Sequence, residues 1–379
     1  MRSLMFGNFV VASGVLVVPG MLDRLALDLQ ISVPTAGHLL SLAAVAMCLG
    51  APLFAAITSR IDRRLLLTVA LLSLALGHVA CALAPDHAVL SVLRPFSVLG
   101  AAVFTPQAAA TIGLLVPIER RAAAVTTVFL GWSIASVLGM PLGNLLASYL
   151  SWRAGFAVIG VLAFLSAAWV WRSVPSGLRV APLSLRSWAA VGGSPRLRLI
   201  LMTTMLWCAG HFMVLGYITP SLRQFIHATP ATQATLMGLM GLCGVMGNLV
   251  LNRFIGRIGP DRGARTALAF IAVGLGLWSG VSLLAPSVPA FVGVILVWGC
   301  GSFAFVSAQQ ARLALTATEL ASASIALNSS SLYAGQAIGA ALGGLLLATL
   351  GYAALGPAAL AIVLVALGLC VRADRVRVR

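Results

Sequence analysis

Residues 137–146 read VLGMPLGNLL, and residues 337–346 read AIGAALGGLL. Two glycines and three leucines recur between these stretches at an offset of 200 positions. Glu119 and Glu319, each a short distance ahead of its stretch, share the same offset. A repeated offset of this kind indicates an internal repeat, although glycine-rich helices also resemble one another by chance. We therefore expect two related halves of similar length.

Long apolar stretches fill most of the chain. Of its 379 residues, 60% are hydrophobic and 8% are charged, whereas about 25% of a soluble domain is charged. About 20 apolar residues cross a bilayer as a helix, and we count twelve such stretches. They cover approximately residues 3–22, 34–58, 65–84, 88–115, 122–150, 154–171, 199–219, 232–251, 266–285, 290–311, 321–350 and 353–371. The first is longer than a signal-peptide core, so we expect it to be retained.

The connections between these stretches differ in arginine content. All 24 basic residues are arginines, and 20 of them lie in one set of alternating connections and at the termini. We call this the basic side; the opposite side holds Arg24, Arg153 and Arg223. Because positively charged loops stay in the cytoplasm, we expect both termini there, in a bacterial inner membrane. The orientation of the protein in the membrane then accounts for the excess of basic residues, and no nucleic-acid partner is expected.

The longest connection, residues 172–198, contains three prolines and five arginines. It predicts a cytoplasmic linker between an N-terminal six-helix bundle, residues 1–171, and a C-terminal one with a short basic tail, residues 199–379. The predicted fold class is therefore an all-α integral membrane protein with twelve transmembrane helices in two six-helix bundles.

The residue content argues against an enzyme. The chain has no lysine, which excludes a phosphate-binding loop of the Walker type and Schiff-base chemistry. No HExxH, GxSxG or GxGxxG motif occurs, and the six cysteines are scattered singly in apolar stretches. Such cysteines are typical packing residues. We expect no catalytic residues, no cofactor and no metal site.

Gly139, Pro141 and Gly143 form a GxPxG motif in the fifth stretch. Glycines let a neighbouring helix approach closely, and a proline removes a helical hydrogen bond and can bend the helix. The motif predicts either a hinge between the two halves or simple helix packing.

Asp62, Arg63 and Arg64 lie in the short connection between the second and third stretches. The aspartate suits the positive end of the third helix, and the arginines can contact carbonyl groups or carboxylates of other helices. The cluster predicts a cytoplasmic gate, or alternatively a set of charges that only fixes the topology.

Arg94 is the one arginine well inside an apolar stretch. A charge within the bilayer normally faces a cavity or a partner, although this side chain could instead extend to the opposite surface. No acidic residue lies inside any predicted span. His211, close to Trp207, is therefore the main titratable alternative for proton coupling, unless it only packs.

Further polar side chains with long reach lie within the stretches, and buried amides and hydroxyls need hydrogen-bond partners. We expect them to face the interior, where some bind substrate and others bridge helices. The predicted cavity residues are Asn8, Gln107, Gln309, Asn328 and Gln336, together with Arg94, Trp207 and His211.

Several of these motifs resemble those of the major facilitator superfamily, and within it the drug:proton antiporters that include arabinose-efflux-permease-like proteins. The resemblance covers nearly the whole chain. It is carried by residues 50–53 with 60–64, Arg94 with Phe104 and Pro106, and residues 117–121, 139–143, 152–156, 309–312 and 339–343.

By this resemblance, Arg94 takes part in proton coupling or substrate binding, Asp62 and Arg63 hold the cytoplasmic gate, and the fifth span mediates rocking between the halves. The sequence also departs from the family pattern. Many relatives carry a glutamate in the first helix, at a position that aligns with Val15, and a glycine at the position of Val98.

The resulting hypothesis is a monomeric secondary transporter that exports a small organic solute, such as a drug, sugar or metabolite, by alternating access. Its other expected partners are protons, through antiport, and the lipid bilayer. The alternatives are a uniporter or uptake symporter of the same fold, and a membrane receptor or assembly protein that transports nothing.

Overall fold

The computed structural model describes residues 1–58, 60–117, 120–179 and 185–376. Glu119 of the predicted repeat and residues 180–184 of the predicted linker lie outside the described residues. The described part consists almost entirely of helices, and twelve membrane spans are recognised in it by length and apolar composition. The predicted fold class is confirmed.

The helices follow one another with short connections. They are α1 (Arg2–Asp28), α2 (Val33–Ile57), α3 (Arg63–Ala82), α4 (His87–Ser97), α5 (Leu99–Leu115), α6 (Arg121–Ile134), α7 (Met140–Tyr149), α8 (Trp152–Ser173), α9 (Leu185–Gly193), α10 (Pro195–Leu215), α11 (Ile218–Ile226), α12 (Pro230–Ile258), α13 (Pro260–Leu284), α14 (Val288–Thr316), α15 (Ala321–Leu350) and α16 (Leu355–Arg375).

Side-chain caps fix where many spans begin. A hydroxyl or carboxylate at the N-cap accepts one of the backbone N–H groups that the first helical turn leaves without a partner. Within the described ranges, seven helices start this way, with the capping residues Ser32, Asp62, Asp86, Ser151, Ser194, Thr229 and Ser287.

Three spans are interrupted. The fourth is divided into α4 and α5 at Val98, and the seventh is divided between α10 and α11 near Gly216. In the fifth span a π-helical turn, Ala135–Gly139, separates α6 from α7. A π-turn widens the helix by one residue per hydrogen-bonded turn and often lies at a functional position.

Several span ends differ from the prediction. The first helix continues past residue 22 to Asp28, which places Asp23 on the helix, almost fully buried. The connection between α12 and α13 is reduced to Gly259, because its arginines continue the two helices. Apolar content falls at the membrane surface, but a helix continues beyond it as long as its polar residues find partners or water.

Contacts between the first six and the last six spans involve a few helices. The helix α2 packs along α15, α7 and the π-turn pack against α12, and α1 contacts α11. At the opposite side, Arg223 pairs with Asp23 at 3.1 Å, and the Thr219 hydroxyl donates to the Pro19 carbonyl at 3.1 Å. These bonds hold the two halves together at that end.

The offset of 200 positions reappears in these contacts. Thr219 and Pro19 are 200 residues apart, and so are Arg223 and Asp23. In the same way, Gly143 lies against Val17 of α1, and Gly343 lies against Tyr217 after α10. Equivalent positions of the two halves therefore meet each other or make equivalent contacts.

Candidate functional site

A buried hydrogen-bond network joins α1, α5 and α6 around Asn8, which is fully buried. Its Nδ2 donates to the Val128 carbonyl at 3.0 Å, and its Oδ1 accepts from the Thr105 hydroxyl at 2.6 Å. The Trp132 indole N–H donates to the same hydroxyl oxygen at 3.3 Å. Asn8 is thus a bridge between three helices.

A second contact in the first half brings together Arg63 and Gln107. The Arg63 Nη1 donates to the Gln107 Oε1. Arg63 is buried, with 1% of its surface exposed, while Gln107 is half-buried on α5. A residue predicted for the gate and one predicted for the cavity therefore form one pair near the basic side.

The other gate residues contact the end of the first half. The Asp62 carboxylate caps α3 and also accepts from the Gly177 N–H, and the Arg63 N–H donates to the Leu178 carbonyl at 2.9 Å. The Arg64 guanidinium lies over the Trp171 ring at 4.1 Å. These bonds anchor residues 171–178, where the predicted linker begins, to the connection between α2 and α3.

In the second half, Arg312 is the centre of a charged network at the basic side. Its side chain is fully buried and donates from Nε to Asp261 at 2.7 Å and from Nη2 to Asp374 at 2.8 Å. The two carboxylates are also paired with Arg196 and Arg265. This network was missed in the sequence, where the available signal was that both acids and these arginines lie near helix ends of one side.

The third nitrogen of this guanidinium bonds to a side chain deeper in the bundle. Arg312 Nη1 donates to Gln309 Oε1 at 2.8 Å, and Gln309 Nε2 donates to the Thr204 hydroxyl oxygen at 3.0 Å. Thr204 in turn lies 2.7 Å from Asn328 Oδ1. Two predicted cavity residues, Gln309 and Asn328, are thus joined through Thr204 on α10.

His211 lies in an aromatic cluster between α10 and α14. Its ring stacks on Trp207 with centroids 5.4 Å apart, and its Nδ1 accepts from the Trp298 indole N–H at 3.1 Å. Because Nδ1 accepts, the neutral ring carries its proton on Nε2. Trp207 has a buried indole N–H with no hydrogen-bond partner in the described part of the chain. Gln336 is buried on α15, eight residues beyond Asn328.

Arg94 is buried in the first half, with 1% of its surface exposed, and does not extend to the opposite surface. Its Nη2 donates to the Gly14 carbonyl at 2.8 Å, and its Nη1 lies 3.3 Å from His78 Nε2. The His78 Nδ1 donates to the Leu74 carbonyl at 2.9 Å, so Nε2 accepts from the arginine. The histidine that contacts Arg94 is therefore His78, whereas His211, the main titratable alternative expected from the sequence, lies in the second half.

The GxPxG motif packs between the two halves. Gly139 lies against Ser13 and Gly143 against Val17, both on α1, while Pro141 faces Gly238 on α12. The glycines thus provide close packing, as one of the two predicted roles requires. The π-turn directly ahead of the proline adds a weakened helical segment at this position.

Comparison with known proteins identifies the family of this architecture. The family model of the Major Facilitator Superfamily matches residues 4–324. The chain belongs to this superfamily.

Individual relatives agree with this assignment. The chain is 30% identical over 352 residues to the inner membrane transport protein YdhP of Escherichia coli K12, which covers 92% of this chain and 89% of the relative. It is 30% identical over 292 residues to the chloramphenicol resistance protein of Streptomyces lividans, covering 76% and 74%. The crystal structure of a bacterial homologue of the human lysosomal transporter Spinster superposes with a TM-score of 0.73 at 15% identity, covering 99% and 96%.

Membership of the major facilitator superfamily confirms a transporter with many membrane spans rather than an enzyme. Such a transporter takes a small-molecule substrate through the bilayer. In this superfamily member the predicted polar residues form separate groups. Asn8 bonds to Thr105 and Gln107 to Arg63 in the first half. In the second half Gln309 and Asn328 are joined through Thr204, and His211 stacks on Trp207. Arg94 contacts His78.

Proposed function

We propose that the protein exports a small organic solute by alternating access across a bacterial cytoplasmic membrane, with its basic side in the cytoplasm. The observation that carries this proposal is the closed opposite end, where Asp23–Arg223 and Pro19–Thr219 join the halves. Hydrogen bonds between the halves at this end fit two bundles, residues 1–171 and 199–379, that rock about a central site.

The proposed substrate cavity lies between the halves and opens to the basic side. Gln107 on α5 and Gln310 on α14 are only partly buried although both lie within spans. A polar side chain at such a depth needs water or a polar partner, because lipid offers no hydrogen bonds. The proposed cavity set is Arg94, His211, Trp207, Gln107, Asn8, Gln309, Asn328 and Gln336, with Asp62, Arg63 and Arg64 as the cytoplasmic gate and Gly139, Pro141 and Gly143 as the hinge.

The name of a similar protein supports export, rather than uptake, as the direction of transport. The similar protein of Streptomyces lividans is a chloramphenicol resistance protein, and resistance is a natural result of removing a drug from the cell. We extend this direction of transport to the present chain as part of the proposal.

Proton antiport is the proposed energy source, and uniport is a second candidate that one observation favours. In the described residues Arg94 makes no ion pair; its contacts are the Gly14 carbonyl, Ser97, His78 and the face of the Phe156 ring. A coupling site usually contains a titratable group that changes charge during the cycle, and here the nearest one is His78.

Proteoliposomes that contain a pH-sensitive dye test both candidates. The purified protein is challenged with uncharged drugs, sugars and nucleosides, and solute flux and lumenal pH are recorded together. We expect one compound to trigger proton movement in the direction opposite to its own flux. We expect this proton movement to be lost in Arg94→Lys. The matched control is Arg153→Lys, because Arg153 donates to the Ala84 carbonyl at the opposite side.

Each result has a defined meaning. Solute flux without proton movement identifies a uniporter, while proton movement that survives in Arg94→Lys removes this arginine from the coupling mechanism. Absence of flux for every compound contradicts the proposed transport and favours a membrane receptor or assembly protein.

A further inference from the structure

The direction of the hydrogen bonds in the second half is set by Arg312. A guanidinium has only donors, so its contact with Gln309 at 2.8 Å must end on the amide oxygen, Oε1. The Gln309 NH2 group therefore points the other way, where it donates to the Thr204 hydroxyl oxygen and to the Ile200 carbonyl, both at 3.0 Å.

The same reasoning continues through Thr204. Its hydroxyl has one hydrogen, and the two acceptors within reach are Asn328 Oδ1 at 2.7 Å and the Ile200 carbonyl at 3.3 Å. The shorter contact receives the hydrogen. The Asn328 Oδ1 therefore accepts the Thr204 hydrogen. The NH2 group of Asn328 is left without a hydrogen-bond partner in the described part of the chain, although only 4% of the residue is exposed.

The first half ends its own, shorter chain in the same way. Arg63 donates to the Gln107 Oε1, which leaves the NH2 group of this half-buried glutamine free to donate elsewhere. Gln107 lies eight residues before the end of α5 at Leu115, and Asn328 lies seven residues after the start of α15 at Ala321. At 1.5 Å per residue, both amides are about 10 to 12 Å from the basic ends of their helices.

A third donor lies close to the second chain. The Trp207 indole N–H is buried and has no partner among the described residues. Trp207 is three residues beyond Thr204 on α10, and positions three apart lie on the same face of a helix. Hydrogen-bond chains that start on a charge polarise their members, so the terminal NH2 groups are stronger donors than isolated amides.

Negative charges do not balance these donors within the spans. The eight acidic residues of the sequence include Asp62, Asp261 and Asp374 near the basic side and Asp23 at the opposite side. Asp62 accepts from the Gly177 N–H, and the other three are paired with arginines. Among the described residues, none of the contacts of these two amides involves a carboxylate, and a desolvated cation is costly without a partner.

We propose that the transported solutes are acceptor-rich molecules without positive charge, bound by the NH2 groups of Asn328 and Gln107 through carbonyl, nitro or carboxylate oxygens. This inference rests on the proposed transport function, since it places the substrate between the halves. Cationic compounds are disfavoured at these two groups, because an NH2 group offers a cation no acceptor.

Ligand binding by the full-length protein in detergent tests the proposal, with the quenching of tryptophan fluorescence as the signal. Chloramphenicol is the uncharged probe with nitro and carbonyl oxygens, and ethidium is the cationic aromatic probe. We expect chloramphenicol to bind at least about tenfold more tightly than ethidium, which corresponds to the loss of one good hydrogen bond to a buried group.

The substitutions Asn328→Asp and Gln107→Glu replace a donor by a carboxylate of the same shape. Each should weaken chloramphenicol binding by about tenfold and raise the affinity for ethidium. Asn252→Asp is the matched control, because Asn252 is exposed on α12 and its Nδ2 donates to Asn248 on the same helix. Size-exclusion profiles identify variants that fail to fold. Because Gln107 lies in the first half and Asn328 in the second, each variant tests the proposal independently of the other.

Equal or tighter binding of ethidium by the unaltered protein overturns the proposal. So does the absence of binding of chloramphenicol and of carboxylate-bearing probes such as benzoate. Selective binding that is reversed in the two variants, but without flux in proteoliposomes, supports the inferred binding by Asn328 and Gln107 and contradicts the proposed export alone.

Discussion

Asp23→Asn removes the ion pair that joins the halves at the opposite end. The Arg223 Nη1 contacts both carboxylate oxygens of Asp23, at 3.2 and 3.1 Å. The variant should increase the population in which this end is open, because the pair exists only while the halves touch there.

The magnitude follows from the exposure of the two side chains. The Asp23 side chain is 13% exposed, but that of Arg223 is 48% exposed. Solvent screens a pair of this kind, so its contribution is about 0.5 to 1 kcal/mol, which corresponds to a shift of up to about fivefold in the equilibrium. Adding Thr219→Val removes the hydrogen bond to Pro19, contributes about 1 kcal/mol more, and brings the shift to about thirtyfold.

Distance measurements between spin labels provide the assay. Labels at Leu27 and Gln224, which are exposed near the ends of α1 and α11, report the separation of the halves in a cysteine-free background. Asp86→Asn is the control, because Asp86 lies at the same side but caps α4 within the first half. The exchange of the two charges, Asp23→Arg with Arg223→Asp, should restore the closed distance distribution.

The reasoning is refuted if Asp23→Asn leaves the distance distribution unchanged while the protein remains folded. It is equally refuted if the charge exchange fails to restore closure, since the effect would then come from something other than the pair.

Three further predictions concern stability and packing. Arg312→Gln leaves two carboxylates without their buried partner and should destabilise the protein by about 3 kcal/mol, seen as a lower melting temperature in detergent than that of the exposed control Arg262→Gln. Gly241→Ala adds a methyl group against the backbone of the π-turn. It should therefore increase the distance between the two spin labels in the same assay. Gly280→Ala is the control, because open space surrounds Gly280, and it should leave the distance unchanged. His78→Phe removes a buried acceptor of Arg94 and should lower stability by about 1.5 to 3 kcal/mol. An unchanged melting temperature would contradict this hydrogen-bonding role of His78.

Apolar content predicts the spans well, because a bilayer requires about 20 such residues whatever the details of packing. It predicts their ends less well. The first helix was expected to stop near residue 22, but Asp23 continues it because Arg223 neutralises the carboxylate. That partner comes from a span 200 positions away, and composition within a window carries no information about it.

The site shows the same division between local and distant information. Arg94, Gln309 and Asn328 could be selected from the sequence because polar side chains are conspicuous in apolar spans. Their partners could not: Arg94 bonds to His78 and Gly14 on other helices. Which of several polar residues meet depends on helix rotation, and that is fixed by packing between spans rather than by any single span.

The ion pair of Asp23 and Arg223 has a consequence for the ancestry of the chain. Equivalent positions that touch each other must lie on the twofold axis that relates the halves. In a homodimer of a single ancestral half, the same residue would meet its own copy there, and two aspartates or two arginines would repel each other. Attraction between opposite charges at this position therefore requires two halves whose sequences differ there. The opposite charges favour pairing of a first half with a second half over pairing of two like halves.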